Sequence, residues 1–215
     1  MYDTGERKYA FVGDLHGRTS LLEFILSRDK DNSYHFVLTG DILHHKHHFK
    51  TTKRTSPISM LSLVHSLIQS GKATLVVGNN ENYILKHLIL PEAEIRKREA
   101  KYTLNCLKQI SLADRVKYIN MLASSPCSLE LDGRFRVAHA YYNPEDRESC
   151  LYGPGYAWFK DDDLRLKHKI DPKYTYIHGH YGLPYLRQNI KILDATKLEA
   201  VGVYYSDRDE FMLYY

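Results

Sequence analysis

Three apolar runs in the first third of the chain end alike. "KYAFVGD", "HFVLTGD" and "ATLVVGNNEN" each stop at a glycine followed by a polar residue: Asp14, Asp41 and Asn79. Between them lie "RTSLLEFILSR" and "PISMLSLVHSLIQSG", which read as amphipathic helices. A Ser or Thr near the start is expected to cap the first, and Pro57 and Gly71 bracket the second. Alternation of strand and helix predicts a parallel sheet. In such sheets, sites form beyond the carboxyl ends of the strands. One Gly-Asp is usually a turn, but three at equivalent strand ends deliver polar groups to one rim. Asp14 and His16, at i and i+2, point to the same side of an extended stretch.

The middle of the chain reads as helical. "ENYILKHLIL" runs to Pro91, and "EAEIRKREAKYTLNCLKQI" and "LADRVKYINMLASS" follow. Arg96, Lys97, Arg98 and Lys101 are expected on a solvated helix face. From Cys127 the texture changes to β. "CSLELDGRFRVAHA" predicts a hairpin turning on two residues, Asp132-Gly133, with its second strand ending at His139. "YTYIHGHYG" is a strand ending at His180, and "NIKILDA" and "EAVGVYYSDRDEFMLYY" supply more strands.

The strand-end groups are Asp14, His16, Asp41, Asn79, His139 and His180. Oxygen and imidazole without thiolate suit divalent Mn, Mg, Fe or Zn. Six groups are too many for one closed site. They suit two metals about 3.5–4 Å apart, which would make a nucleophile of bound water and absorb charge on a phosphoryl group.

Composition sets the frame for this chemistry. The chain has 215 residues, enough for one domain over 1–215. A net charge of +4 permits a phosphate-bearing partner without demanding one. No apolar run approaches the ~20 residues of a membrane helix, and the N-terminus lacks a signal-peptide core. Cys106, Cys127 and Cys150 form no CxxC and no even framework, so reduced thiols in a cytoplasmic protein are expected.

"GDLHG", "GDILHHK", "GNNEN", "VAHA" and "GHYG", in this order, resemble the calcineurin-like metallophosphoesterases of the phosphoprotein-phosphatase type. "DGRFRVAHA", "RESCLYGPG" and "NIKILDA" also look like the phosphatase module of bacterial polynucleotide kinase-phosphatase and the related bis(nucleosyl)-tetraphosphatases. The resemblance implies an α/β (α+β) sandwich of two packed mixed sheets flanked by helices. It implies two divalent ions, Mn²⁺ first, with Mg, Fe, Ni or Zn as alternatives. Asp14, His16 and Asp41 would hold one ion, and Asp41 would bridge to a second held by Asn79, His139 and His180. Arg147 falls where that group places a phosphate-binding arginine, with His45 or Lys46 beside the same phosphate. The implied activity is hydrolysis of phosphate mono- or diesters by a metal-bridging hydroxide. Substrates would be nucleotides, nucleic-acid ends or phosphoproteins.

Two departures bear on mechanism. The family's GDxxDRG is here "GDILHHK", and its GNHE is "GNNE". The acidic position is therefore His44, and the histidine that protonates the departing oxygen is Asn80. An amide does not titrate usefully. Either His44 supplies the proton with Asn80 orienting it, or no acid acts and only good leaving groups depart, or turnover is weak or lost. In the run "HHKHH", His47 and His48 read as loop residues, and His178 as a core or supporting residue.

Overall fold

The computed structural model describes residues 7–43, 56–88, 98–153 and 171–215. β1 (Lys8–Val12), β2 (Tyr34–Leu38) and β3 (Ala73–Leu75) run parallel. β9 (Val201–Tyr205) and β10 (Glu210–Tyr214) extend this sheet antiparallel, in the order β10-β9-β1-β2-β3. The second sheet holds β4 (Ser128–Leu131), β5 (Phe135–Ala138), β6 (Thr175–His178), β7 (Tyr185–Arg187) and β8 (Ile190–Ile192), in the order β4-β5-β6-β8-β7. Within it β5, β6 and β8 are parallel. The helices are α1 (Thr19–Ser27), α2 (Pro57–Gln69), α3 (Asn79–His87), α4 (Arg98–Gln109), α5 (Leu112–Ser124) and α6 (Arg147–Tyr152). These are two mixed sheets with flanking helices, as the resemblance implies.

The period of two along each strand sorts its side chains between two cores. Tyr9 and Phe11 of β1 face inward between the sheets, where Phe11 meets Phe135 with ring centroids 5.0 Å apart. Val37 and Tyr204 join them from the first sheet, Val137 and Ile177 from the second. The alternate residues Ala10 and Val12 face the helices instead, against Leu22, Ile25, Met60 and Leu61. Burying a side chain such as Phe11 contributes about 1.5–3 kcal/mol, so both faces of β1 resist displacement. That rigidity matters because the loop after β1 carries Asp14 and His16.

The helix ends show local sequence at work. Ser56 caps α2 by accepting from the Ile58 N–H at 3.2 Å, Pro57 opens the helix, and Gly71 follows with φ +70°. The expected Ser/Thr cap of α1 is not there. Arg18 occupies the cap position and makes no side-chain cap bond. The chain before it is held instead by His16 N–H to Asp41 O at 2.8 Å and Gly17 N–H to Ile42 O at 2.7 Å. The hairpin also differs from expectation. Asp132 and Gly133 take positive φ and Arg134 N–H reaches Leu131 O at 2.9 Å, but the register pairs Leu131 with Phe135. Arg134 is an extra residue there, and its carbonyl accepts from Thr175 at the start of β6, at 2.8 Å. The short β7 and α6 were not anticipated. Among the described residues, no helix is long and apolar enough to cross a membrane.

Candidate metal centre

Each predicted ligand follows the carboxyl end of a parallel strand. Asp14 and His16 follow β1, Asp41 follows β2, Asn79 follows β3, His139 follows β5 and His180 follows β6. The structure brings all six together. One ligand atom from each of Asp14, Asp41 and His139 lies within 4.8 Å of the others. His16 Nε2 lies 3.7 Å from Asp14 Oδ2 and 3.9 Å from Asp41 Oδ2. On the other side, His139 Nε2 lies 3.4 Å from Asp41 Oδ1 and 2.9 Å from Asn79 Oδ1. His180 Nδ1 is 3.1 Å from both Asn79 Oδ1 and His139 Nε2. Asp41 therefore presents one oxygen to the His16 side and the other to the His139 side.

The donor set fits cations. His139 Nδ1 lies 2.9 Å from the Thr39 carbonyl, which can only accept, so the ring proton belongs there and the Nε2 lone pair faces the centre. Around it stand two carboxylates and the Asn79 carbonyl oxygen, all electron-pair donors. A cluster of that kind is repulsive by itself and becomes favourable around divalent ions that take oxygen and imidazole.

Three site residues have left-handed backbones: His16 (φ 45°), Asp41 (φ 48°) and His180 (φ 71°). Each such conformation costs about 1–3 kcal/mol and persists where surroundings enforce it. Here the amide of each is held by another part of the site. His16 N–H binds Asp41 O at 2.8 Å, Asp41 N–H binds Glu81 Oε2 at 2.8 Å, and His180 N–H binds Asp14 Oδ1 at 3.1 Å. The Gly before His180 is required by space. A Cβ on Gly179 would overlap the Asp14 carboxylate, and one on Gly78 would stand 2.5 Å from Asp41 Oδ1.

Asn80 lies against Asp41. Its N–H donates to Asp41 Oδ1 at 3.0 Å and its carboxamide Nδ2 to Oδ2 at 2.8 Å. His44, His45 and Lys46 lie outside the described residues. Arg147 is exposed at the first turn of α6 and forms no ion pair among the described residues. His178 ends β6 fully buried, with Nδ1 3.2 Å from Ala138 O.

Sequence reasoning missed two residues of consequence. Glu81 is fully buried and accepts from the amides of Asp41 (2.8 Å), Leu43 (3.0 Å) and Gly78 (3.0 Å). Burial and then the Asp41 charge push its carboxyl up to about 7, against the pull of those three amides. The motif "GNNE" contained this residue, but only the fold shows what it holds. Arg18 is buried beneath the first ligand loop. It donates to the carbonyls of Leu15 (2.9 Å), Asp14 (2.8 Å), Glu199 (3.1 Å) and Ala200 (3.0 Å). Burial lowers its pKa to about 10, opposed by Asp14 and Asp194. Lysine cannot span four carbonyls from one planar fork. If the loop holds a divalent ion, Arg18→Lys is expected to weaken its binding by about 10–100-fold, the usual effect of removing support from metal ligands. Calorimetric titration of the metal-free protein checks this, and unchanged affinity would make Arg18 a packing residue only.

Comparison with known proteins agrees with this architecture. A family model described as calcineurin-like phosphoesterase matches residues 7–208. Among solved structures, a candidate diadenosine tetraphosphatase superposes with a TM-score of 0.61 at 17% identity, covering 99% of this chain and 95% of the other. A metallophosphoesterase from Sphaerobacter thermophilus gives 0.61 at 16% identity, covering 96% and 87%. A protein serine/threonine phosphatase from Saccharomyces cerevisiae gives 0.54 at 13% identity, covering 88% and 67%. These likenesses carry the fold alone, and comparison with curated proteins finds no match. With a family match running from β1 to beyond β9, over strand-end polar groups that converge as described, the chain belongs to the calcineurin-like phosphoesterases.

Proposed function

We propose that the protein is a dinuclear metal-dependent hydrolase of phosphate mono- or diesters. The observation that carries this reading is Asp41, whose two carboxylate oxygens face His16 on one side and His139 on the other. Bound there, two divalent cations would activate water and neutralise phosphoryl charge. Mn²⁺ is the first metal to try. In this reading Asp14 and His16 hold one ion with Asp41, and Asn79, His139 and His180 hold the other. Asn80 keeps Asp41 oriented through its two donors. Arg147, with His45 or Lys46, receives the phosphate oxygens, and Arg147→Ala should weaken phosphate binding with metal content intact. A cytoplasmic setting goes with this reading, with its cysteines as free thiols.

The substrate reading is a nucleotide or nucleic-acid end, with phosphoproteins and dinucleoside polyphosphates as the other phosphate classes. A weakly active binding protein is the second reading. It is favoured by Asn80, whose carboxamide is turned into Asp41 and carries no transferable proton. The experiment compares leaving groups in the presence of Mn²⁺ or Ni²⁺. p-Nitrophenyl phosphate should be hydrolysed, since its phenolate departs without a proton. His44→Ala should slow alkyl phosphate hydrolysis about tenfold or more, on the scale of general-acid effects, and leave the aryl ester nearly unchanged. Equal losses on both would make His44 structural. Wild-type silence on every ester would establish the binding protein.

A further inference from the structure

We propose that Asp194 is a positioning residue that sets the His180 loop, and through it the affinity of the ion assigned to Asn79, His139 and His180. The inference rests on the two-ion reading above. Asp194 emerges between the two strands that carry Asp14 and His180. β8 ends at Ile192, and the residue after it still meets both neighbours. Leu193 N–H donates to His178 O at 2.7 Å, and a Cβ on Gly13 would stand 2.6 Å from Leu193 O. The Asp194 side chain is buried, and each of its oxygens accepts from a backbone amide. Oδ1 takes the Thr196 N–H at 2.9 Å, and Oδ2 takes the Gly182 N–H.

These two bonds join a local turn to a remote loop. Thr196 is two residues along the chain and opens the 3₁₀ turn Thr196–Leu198. Gly182 is 12 residues back, on the loop after β6. Lys197 N–H returns to Gly182 O at 2.9 Å, so the peptides on both sides of Gly182 are fastened to this turn. The other side of the loop is fastened to the His139 turn, by Gly179 N–H to His139 O at 2.8 Å and the Tyr181 hydroxyl to Ala140 O at 2.7 Å. His180 stands between the two anchors with φ 71°. A left-handed histidine is strained, so its conformation depends on what holds it from both sides.

The same connection continues to the first ligand loop, where the Glu199 and Ala200 carbonyls accept from Arg18. The bond to Gly182, however, acts on the His180 half alone. Asp194→Asn exchanges one acceptor for an NH2 donor, so the side chain cannot serve both amides. The Thr196 bond spans two residues, a turn that Asn makes readily, and Gly182 is the amide that loses its acceptor.

The test uses the full-length chain, first without metal. In Asp194→Asn, hydrogen exchange across residues 180–183 should quicken about tenfold or more, the scale of one stranded buried amide, while β1 and α2 exchange as in the wild type. Calorimetric titration with Mn²⁺ should then show one of the two binding steps weakened by about 10–100-fold and the other by less than about threefold. His180→Ala should weaken the same step. Adding Asp194→Asn to it should cost nothing further, because the residue that Asp194 positions is gone, whereas a merely structural aspartate would give additive losses. Gly182→Ala strains the same loop at φ 81° with Asp194 in place, should weaken the same step, and decides the matter where Asp194→Asn does not fold. Equal weakening of both steps, additive losses in the double variant, or full affinity in a folded loop variant would overturn the proposal. A wild-type chain that binds fewer than two Mn²⁺ would refute the two-ion reading, and the exchange result would still decide whether Asp194 sets the loop.

Discussion

Asp41→Asn is expected to abolish phosphate ester hydrolysis while leaving the fold intact. The substitution removes the one charge shared by both halves of the site. Its loss should cost at least about 10²–10³-fold in rate, the scale of removing a group that stabilises charge in a preorganised site. Metal content should fall in parallel. Stability should move the other way. Asn still offers an oxygen to the Asn80 N–H, its NH2 can donate to the Asn80 carboxamide oxygen once that group turns over, and it removes a carboxylate whose charge crowds the buried Glu81. The metal-free variant should therefore melt no lower than the metal-free wild type. Metal analysis, steady-state rates and thermal melts on the same preparations check the three parts together. Full activity in the variant would dismiss the site assignment.

Glu81→Ala is expected to damage the fold as well as the chemistry. It strands three amide donors, those of Asp41, Leu43 and Gly78, in a place water does not reach. Each stranded donor costs about 1–3 kcal/mol, so the sum is about 3 kcal/mol or more. For a chain of this size that lowers the melting temperature by roughly 6–12 °C. Asp41 also loses the bond that holds its left-handed backbone, so Mn²⁺ affinity should fall with stability. A melt within 2 °C of the wild type would show that the three amides find other partners.

The difference between these two residues shows what the sequence can carry. The place of Asp41 at the rim was readable because it is written locally: an apolar strand, a glycine and a carboxylate, repeated with Asp14 and Asn79 at equivalent positions. His139 and His180 were readable for the same reason, as polar residues at strand ends. The parallel pairing of β1, β2 and β3 followed from helices between strands. Glu81 sat inside a quoted motif, yet its role depends on amides from the β2 loop, some 40 positions earlier in the chain. Arg18 is harder still. Two of its four acceptors, Glu199 and Ala200, are 181 and 182 positions away, and no local pattern announces them. The expected Ser/Thr cap of α1 failed for the same cause, because Arg18 holds the cap position and its guanidinium serves the ligand loop instead. In the β4–β5 hairpin, Asp132-Gly133 correctly signalled the tight turn. The extra residue, Arg134, is bonded through its carbonyl to β6, a tertiary contact that the local turn signal does not contain. The left-handed backbones of His16, Asp41 and His180 are likewise held by neighbours, at residue types, Asp and His, that tolerate this region better than most.

The central claim is that six strand-end residues form a site for two metals that enables hydrolysis. The most direct measurement is a titration of metal-free chain with Mn²⁺, counting bound ions while following p-nitrophenyl phosphate hydrolysis in the same samples. The account predicts two ions per chain, activity that rises with their binding and vanishes with chelator, and at most one tightly bound ion in Asp41→Asn. A chain that binds no Mn²⁺ at saturation, or that hydrolyses the ester equally well with chelator present, would contradict it.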